Sequence, residues 1–376
     1  MDFTEFSLSK AKIHRGKLLE NIQEIKKLLS SSTKFMAVIK ADAYGHGASQ
    51  LAQKIESEKA VNYFGVAQLA EALELREDGI QTATLVFNHV RKEEIKLAIQ
   101  NKITMTVFSK KMAKAITETA KTIQKTALIH LKIDTGMGRV GARNFKDAYD
   151  IYELLNSDFV KIEGIYTHFA DADKKSPNNF SHKQFNSFKK IIDQFHEKEI
   201  NFELRHAANT AATINYPDYH LDMVRVGIGI YGFNPTQSKL KKIKLQPIQN
   251  IYTRVTHVKN FPASHSIGYN RHYYSTEKMK VATIGIGYAD GVPLSLSNKA
   301  YFRYHGKKLP IVGDVCMDQI MLDSSSAPKL KIGDLLSYFG DPAEGHSSAS
   351  EIAKIINGSP YELLCRIGNR VERIYQ

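Results

Sequence analysis

Cysteine is scarce in this chain. Cys316 and Cys365 are the only two in 376 residues, too few for a disulfide framework, and neither has the close Cys or His partners that zinc requires. Thiol redox chemistry and a structural metal are therefore not expected. Long apolar runs are missing too: the stretch from Val281 to Ala289 falls far short of the about 18 to 20 residues that cross a bilayer. No membrane span is expected. The opening run MDFTEFSLSK is acidic and mixed, with no apolar core and no small-residue cleavage site, so we expect no secretory signal and a cytoplasmic chain. Acidic residues are outnumbered, 39 against 52 Lys and Arg, for a formal charge of +13. They vanish between Met223 and Thr276, where eight Lys or Arg occur. An anionic partner or a lysine-rich surface would each account for that balance, and we take the surface. No recognised nucleic-acid module accompanies the charge, so salt-sensitive binding to a generic duplex is not expected. The patterns G-x-x-x-x-G-K-[ST], H-E-x-x-H and G-x-S-x-G do not occur, so P-loop, zincin and hydrolase-elbow chemistry lack their signatures.

What is present fits two globular units, by length and by an apolar content of 43%. Residues 15 to 30 put Leu18, Ile22, Ile25 and Leu29 on one face, the pattern of an amphipathic helix. Eight β-rich runs follow, near 35–40, 62–67, 83–87, 103–107, 127–133, 160–167, 203–207 and 222–230. Helical stretches such as 68–78, closed by Gly79, and 179–198 separate them, the βαβα order of a parallel sheet. We therefore expect an α/β fold, a (β/α)8 TIM-type barrel over 11–240, with a doubly wound sheet as the alternative. After Gly232 the texture turns to short Tyr-, Val- and Thr-rich runs, and only 351–357 looks helical. That predicts a mainly β C-terminal domain over 241–376, joined by residues 1–10. The lysine run KLKKIK at the junction reads as a solvated linker or edge strand.

Two G-x-G-x-x-G matches, Gly136/Gly138/Gly141 and Gly227/Gly229/Gly232, lie far from a first strand, and the second lacks an acid about 20 residues on. Dinucleotide binding is not expected from them. FMAVIKADAYGHG, residues 35–47, is different: an apolar strand closing on Lys40, then a turn with Tyr44 and small residues. A barrel keeps its reactive groups at the carboxyl ends of its strands, so Lys40 is placed for a Schiff base.

Here the sequence resembles the alanine racemases, through their pyridoxal phosphate (PLP) lysine motif and further segments. These are LKIDTGMGRVG (131–141), YTHFADAD (166–173), HAANTAA (206–212), MVRVGIGIYG (223–232), SIGYNRHY (266–273), IGYADG (286–291) and GDVCMDQIMLD (313–323). The resemblance implies that Lys40 holds PLP and serves as one of two acid/base groups. Tyr269 is implied as the other, on the opposite face, since inversion in one pass needs a donor opposite the acceptor. His168 matches the residue supporting that tyrosine, and Arg225 the contact to the pyridine nitrogen. An arginine only donates, so it favours an unprotonated ring nitrogen and disfavours transamination. Same-fold decarboxylases of basic amino acids carry a carboxylate there, and Arg225 argues against them. Tyr44, Asn209, Thr210, Gly227 and Ile228 match cofactor contacts, the phosphate falling between strands seven and eight. Arg139 matches a contact to the cofactor's phenolic oxygen and the substrate carboxylate, and Met317 one whose backbone N–H takes that carboxylate. Tyr288 and Asp318 would order the entrance. Lys132 stands where many members are carbamylated, which would turn the repulsion of Arg139 into attraction.

One residue departs from the pattern: Asn369 precedes Arg370 where many alanine racemases have a tyrosine, predicting better tolerance of serine. The resemblance also implies a head-to-tail homodimer with shared sites and D-alanine supply for cell-wall peptidoglycan. The alternatives are a serine or broad-specificity racemase on the same scaffold and a non-enzymatic PLP carrier. Such carriers lack the second domain that bears Tyr269.

Overall fold

A computed structural model of the chain describes residues 7–174, 180–236 and 243–376. It divides into two compact units. One takes Leu19–Ala43 and Ala48–Leu245; the other takes the described part of Met1–Leu18 with Tyr44–Gly47 and Gln246–Gln376. The second unit thus begins its main segment at Gln246 and also holds the described N-terminal stretch up to Leu18 and the short segment Tyr44–Gly47. The first strand, β1 (Ser9–Ile13), extends past residue 10 and pairs antiparallel with β10 (Gln249–Phe261). Its alternation explains that allegiance: Ala11 and Ile13 are fully buried, while Lys10 and Lys12 are partly exposed. Residues 237–242, most of the lysine run, lie outside the described residues, as does residue 179 of the predicted helix 179–198.

The barrel strands are β2 (Lys34–Val38), β3 (Tyr63–Val66), β4 (Ala83–Val86), β5 (Thr104–Val107), β6 (Ala127–Lys132), β7 (Val160–Tyr166), β8 (Leu204–His206) and β9 (Met223–Val226). All eight predicted runs are strands. They pair in parallel in the order β8-β7-β6-β5-β4-β3-β2-β9. The remaining gap is bridged by backbone bonds from Asp222 N–H to Arg205 C=O (3.0 Å) and Arg225 N–H to Ala208 C=O (2.9 Å). The sheet thus closes nearly into a barrel, as expected, rather than remaining an open doubly wound sheet. Helices sit where the apolar period predicts them. Arg15–Lys26 buries Leu18, Ile22 and Ile25 completely, worth roughly 1.5–3 kcal/mol for each side chain, but it ends before the predicted residue 30 and leaves Leu29 beyond it, only partly buried. Leu69–Glu77 ends before Gly79, whose φ of +84° is a left-handed exit that favours glycine. Phe180–His196 packs Phe185, Phe188, Ile191 and Phe195 inward.

The β6–β7 register slips between Ile129, opposite Ile162, and His130, opposite Gly164. Glu163 is the extra residue of that bulge. A Cβ on Gly164 would lie 3.0 Å from His130 Nδ1 and Cε1. The bulge therefore brings a residue without a side chain to the place where the imidazole needs room.

The second unit is mainly β, as predicted. Its further strands are β11 (Ser266–Ile267), β12 (Tyr273–Tyr274), β13 (Met279–Ile284), β14 (Tyr301–Tyr304), β15 (Lys307–Pro310), β16 (Ile320–Asp323), β17 (Leu335–Ser337) and β18 (Glu372–Tyr375). The main path runs β15-β14-β17-β10-β1-β18; β13 joins β10 to β16, and β11 and β12 form a separate hairpin. The predicted helix appears as Ala349–Ile355, capped by Ser348. A second helix, Pro360–Arg366, was not predicted. It is too short for its period to register, although Ser359 at its N-cap followed by Pro360 is a start signal. No helix among the described residues is long and apolar enough to cross a membrane.

Candidate active site

The barrel gathers its chemistry-bearing side chains at the carboxyl ends of its strands. Lys40 follows β2 and opens the short helical turn Lys40–Gly45. Ala41, Asp42, Ala43 and Tyr44 have φ of 51–56°, a left-handed stretch that costs roughly 1–2 kcal/mol per residue. Surrounding bonds hold it. Glu71 accepts from Ala41 N–H (2.6 Å) with one carboxylate oxygen and from Ala67 and Gln68 N–H (2.6 and 3.0 Å) with the other. Asp42 accepts from Ala48 N–H at 2.7 Å. Lys40 thus stands on a strained backbone tied to the loop after β3.

Arg225, in β9, is almost completely buried. Its Nη1 donates to His206 Nδ1 (2.9 Å), and the two hydrogens of its Nη2 are shared among the carbonyls of Thr167 (2.8 Å) and Ala207 (3.0 Å) and His168 Nδ1 (3.2 Å). These acceptors offset the cost of burying a charge that pairs with no carboxylate among the described residues. Burial pulls the guanidinium down to about 10, and Arg139 presses the same way, yet it stays cationic near neutrality. His206 stacks on Tyr166 with centroids 4.7 Å apart and planes at 8°. The Arg225 guanidinium carbon and Lys132 Nζ lie 5.1 and 5.2 Å from the same ring's centroid. Tyr166 hydroxyl bonds Thr106 at 2.9 Å, and His206 Nε2 meets His130 Nδ1 at 2.9 Å. Burial, then Arg225, hold His168 and His206 well below the ordinary histidine range, so both are neutral.

Lys132 ends β6, buried, with Nζ donating to Ile133 C=O at 2.6 Å. Burial, then Arg225, with a lesser push from Arg139, bring its amine down to about 7. Arg139 is exposed on the loop after Asp134, whose carboxylate accepts from Gly136 and Gly138 N–H (3.0 and 3.1 Å). Beyond β8, Asn209 caps the turn Thr210–Asn215 through Ala212 N–H (3.0 Å), and Thr210 Oγ1 accepts from Gly227 N–H (3.0 Å). Gly227–Gly232 is a run of tight turns. Among the described residues no backbone acceptor takes up the N–H of Ile228.

The second unit assembles its own set. Tyr269 is 69% exposed, so its phenol is presented rather than packed. It opens the turn Tyr269–Arg271, which Asp314 fastens by accepting from Asn270 Nδ2 (3.4 Å) and pairing with His272 Nδ1 (3.0 Å). Met317 and Tyr288 are also exposed. Their loops interlock through Tyr288 N–H to Cys316 C=O (3.0 Å) and Ala289 N–H to Met317 C=O (3.1 Å). Gly287 permits this, since a Cβ there would meet the Met317 and Cys316 carbonyl oxygens at 2.2 and 2.3 Å. Arg370 bridges Asp290 (3.1 Å) and Asp318 (2.7 Å), beside the exposed Asn369. Tyr44 is buried in this unit, its ring 6.0 Å from that of Tyr361.

Residues 13–235 match the family model described as alanine racemase, N-terminal domain, and residues 248–375 the one for the alanine racemase C-terminal domain. The chain belongs to the alanine racemase family. It is 41% identical to an alanine racemase of Oceanobacillus iheyensis over 94% of this chain and 90% of that one. It is 39% identical to one of Caldanaerobacter subterraneus subsp. tengcongensis over 100% and 96%. The solved alanine racemase of Clostridium difficile 630 superposes with a TM-score of 0.93 at 38% identity, covering 98% of this chain and 95% of that one. That of Bacillus anthracis with bound L-Ala-P gives 0.91 at 32%, covering 98% and 95%. The predicted resemblance, fold and enzyme class are borne out: this is an isomerase fold of the amino-acid racemases.

Within that family fold, the barrel unit brings Lys132, His168 and Arg225 together around Tyr166, with Lys40, Arg139, Asn209, Thr210, Gly227 and Ile228 on neighbouring strand ends. Tyr269, Tyr288, Met317, Asp318 and Asn369 fall together in the second unit, with Tyr44 in that unit but on another segment. His206, Tyr166, His130 and Thr106 were not singled out from the sequence. A signal existed for one of them: His130 and Lys132, two apart on a strand, share a face, and two polar side chains there mark a functional interior.

Proposed function

We propose that the chain interconverts L- and D-alanine with pyridoxal phosphate as its cofactor, and that Lys40 and Tyr269 exchange the α-proton from opposite faces. The observation that carries this is Arg225, a buried cation ringed by acceptors and, among the described residues, paired with no acid. It offers the cofactor's ring nitrogen only N–H donors, which suits an unprotonated ring and a proton swap rather than transamination. The other residues fit the group as well. Lys40 is the amine that would hold its aldehyde carbon. Thr210 and the free amide of Ile228, beside Gly227 and Asn209, suit its phosphate. Tyr44 and Arg139 would complete the contacts. When bound, PLP supplies an electron sink that acidifies the Cα–H bond of an attached amino acid.

Each residue then has a task. Neutral His168 accepts from Arg225 at Nδ1, so its proton is on Nε2 and it can donate to a phenolic oxygen. Arg139 and the backbone N–H of Met317 take the substrate carboxylate. Tyr288, Asp318 and Asn369 shape the entrance. A half-neutral Lys132 amine can add to carbon dioxide, releasing a proton and leaving a carbamate that attracts Arg139. Tyr269, exposed in its own chain, is read as serving the barrel of a second copy in a homodimer with shared sites. The product supplies D-alanine for peptidoglycan.

Incubation with L-alanine, L-serine, L-lysine and L-arginine separately, with and without PLP, tests the assignment. Optical activity is expected to decay with L-alanine and only when PLP is present. Retention of rotation with every amino acid refutes it. A serine racemase is the second reading, favoured by the small polar Asn369.

A further inference from the structure

We infer that His130 is a positioning residue of this active site: by accepting a hydrogen bond from His206 Nε2 it holds His206 in the one tautomer that can accept from Arg225. The inference rests on the reading of Arg225 as the ring-nitrogen contact.

The logic is a chain of donors and acceptors. Arg225 can only donate, so His206 Nδ1, 2.9 Å from Nη1, must carry a lone pair. A neutral imidazole then has its proton on Nε2. That N–H faces His130 Nδ1 at 2.9 Å, so Nδ1 of His130 must also be unprotonated. His130 is completely buried, and burial, then Arg225, hold it down to about 3, so it too is neutral. Its own proton therefore sits on Nε2, which is buried with no hydrogen-bond partner among the described residues. Polarity runs in one direction, from the guanidinium through two imidazoles, and the unmet donor is left at the far end, away from Arg225.

The backbone is arranged for this ring. The β6–β7 bulge seats Gly164 opposite His130, and a Cβ there would press on Nδ1, the atom that accepts from His206. Without that acceptor His206 has two options. It keeps an unsatisfied Nε2–H, or it moves the proton to Nδ1 and turns a donor on Arg225. Both loosen the guanidinium.

His130→Phe keeps the shape and removes the acceptor. It moves the single unmet donor from His130 to His206 rather than adding one, so global stability should change little while Arg225 is disturbed. His130→Asn keeps an acceptor oxygen near the place of Nδ1. In protein labelled with 15N-histidine, two-bond proton–nitrogen correlations report which ring nitrogen is protonated, and His206 is assigned by loss of its signals in His206→Gln. Wild type is expected to show His206 protonated on Nε2 alone. His130→Phe should alter that pattern and shift the visible absorption of the PLP-loaded protein in the sense of Arg225→Lys. Its kcat should fall about 10- to 100-fold, the scale of one lost buried hydrogen bond, with partial rescue in His130→Asn. A wild-type His206 protonated on Nδ1 overturns the inference without any variant. So does a folded His130→Phe with wild-type His206 signals and spectrum. If instead Arg225→Lys leaves the spectrum untouched while the tautomer pattern is as expected, the ring-nitrogen reading fails and the imidazole chain stands.

Discussion

Arg225 Nη2 and His168 Nδ1 lie 3.2 Å apart, which leaves His168 with a donor on its far nitrogen and ties two strand ends to one planar group. A lysine cannot reproduce that. Arg225→Lys offers one ammonium to four acceptors spread over two segments, Thr167–His168 and His206–Ala207, and each orphaned acceptor costs about 1–3 kcal/mol. We expect kcat to fall at least about 100-fold with a measurable drop in melting temperature. Wild-type turnover in a folded Lys variant would show that the fork is dispensable.

The proposed sharing of sites between two copies makes a mixing prediction. Lys40→Ala and Tyr269→Phe should each be inactive alone. After demonstrated subunit exchange, half of the mixed dimers' sites carry both wild-type residues, so activity should return partially. No recovery in the exchanged sample argues that each chain keeps its own pair.

The specificity role proposed for Asn369 is open to a direct test. On the proposed reading its short side chain, next to Arg370 and the pairs that Arg370 makes with Asp290 and Asp318, would leave room and a hydrogen bond for a hydroxyl. Asn369→Tyr should lower kcat/KM for L-serine more than for L-alanine, by a few-fold to tenfold, roughly the worth of one hydrogen bond. Equal rejection of serine by both proteins removes the idea.

Lys132 should carry carbon dioxide. With labelled bicarbonate, wild type is expected to give a carbamate carbon signal in its NMR spectrum, and Lys132→Met none. A wild-type protein without that signal, or a good map showing a bare ammonium contacting chloride, retires the modification.

Acid should act early. His130, His168 and His206 all have folded pKa values below the ordinary 6.5. Between the folded values and 6.5 the unfolded chain binds protons that the native chain does not. Their contribution is therefore complete above about pH 6.5 and is lost as pH falls below it, by up to roughly 1.4 kcal/mol per pH unit for each ring. Urea midpoints between pH 7 and 4 should fall steeply, and less steeply in His206→Gln. Parallel slopes contradict the neutral assignment.

The barrel was legible because its signals are local. Eight β-rich runs separated by helical periods leave little choice of topology, and Lys40 at the end of an apolar run is odd enough to notice. The second unit's grip on β1 was harder, since strand pairing across more than 230 residues leaves no trace in either segment. Pro360–Arg366 is two turns long, too few for periodicity. The site was legible as a set of motifs but not as a network. Nothing in HAANTAA tells that His206 faces Arg225 on one side and His130 on the other, because that meeting depends on a bulge at Glu163. The left-handed course of Ala41–Tyr44 was invisible for a related reason: these residues would not choose it alone.

That last segment constrains the backbone that carries Lys40. Four consecutive residues wound against their natural hand act as a spring clamped by Glu71 and Asp42. Any motion of Lys40 through its backbone must release or add winding. On the role proposed for Lys40, loosening either carboxylate is expected to lower activity through the backbone of residues 41–44 alone.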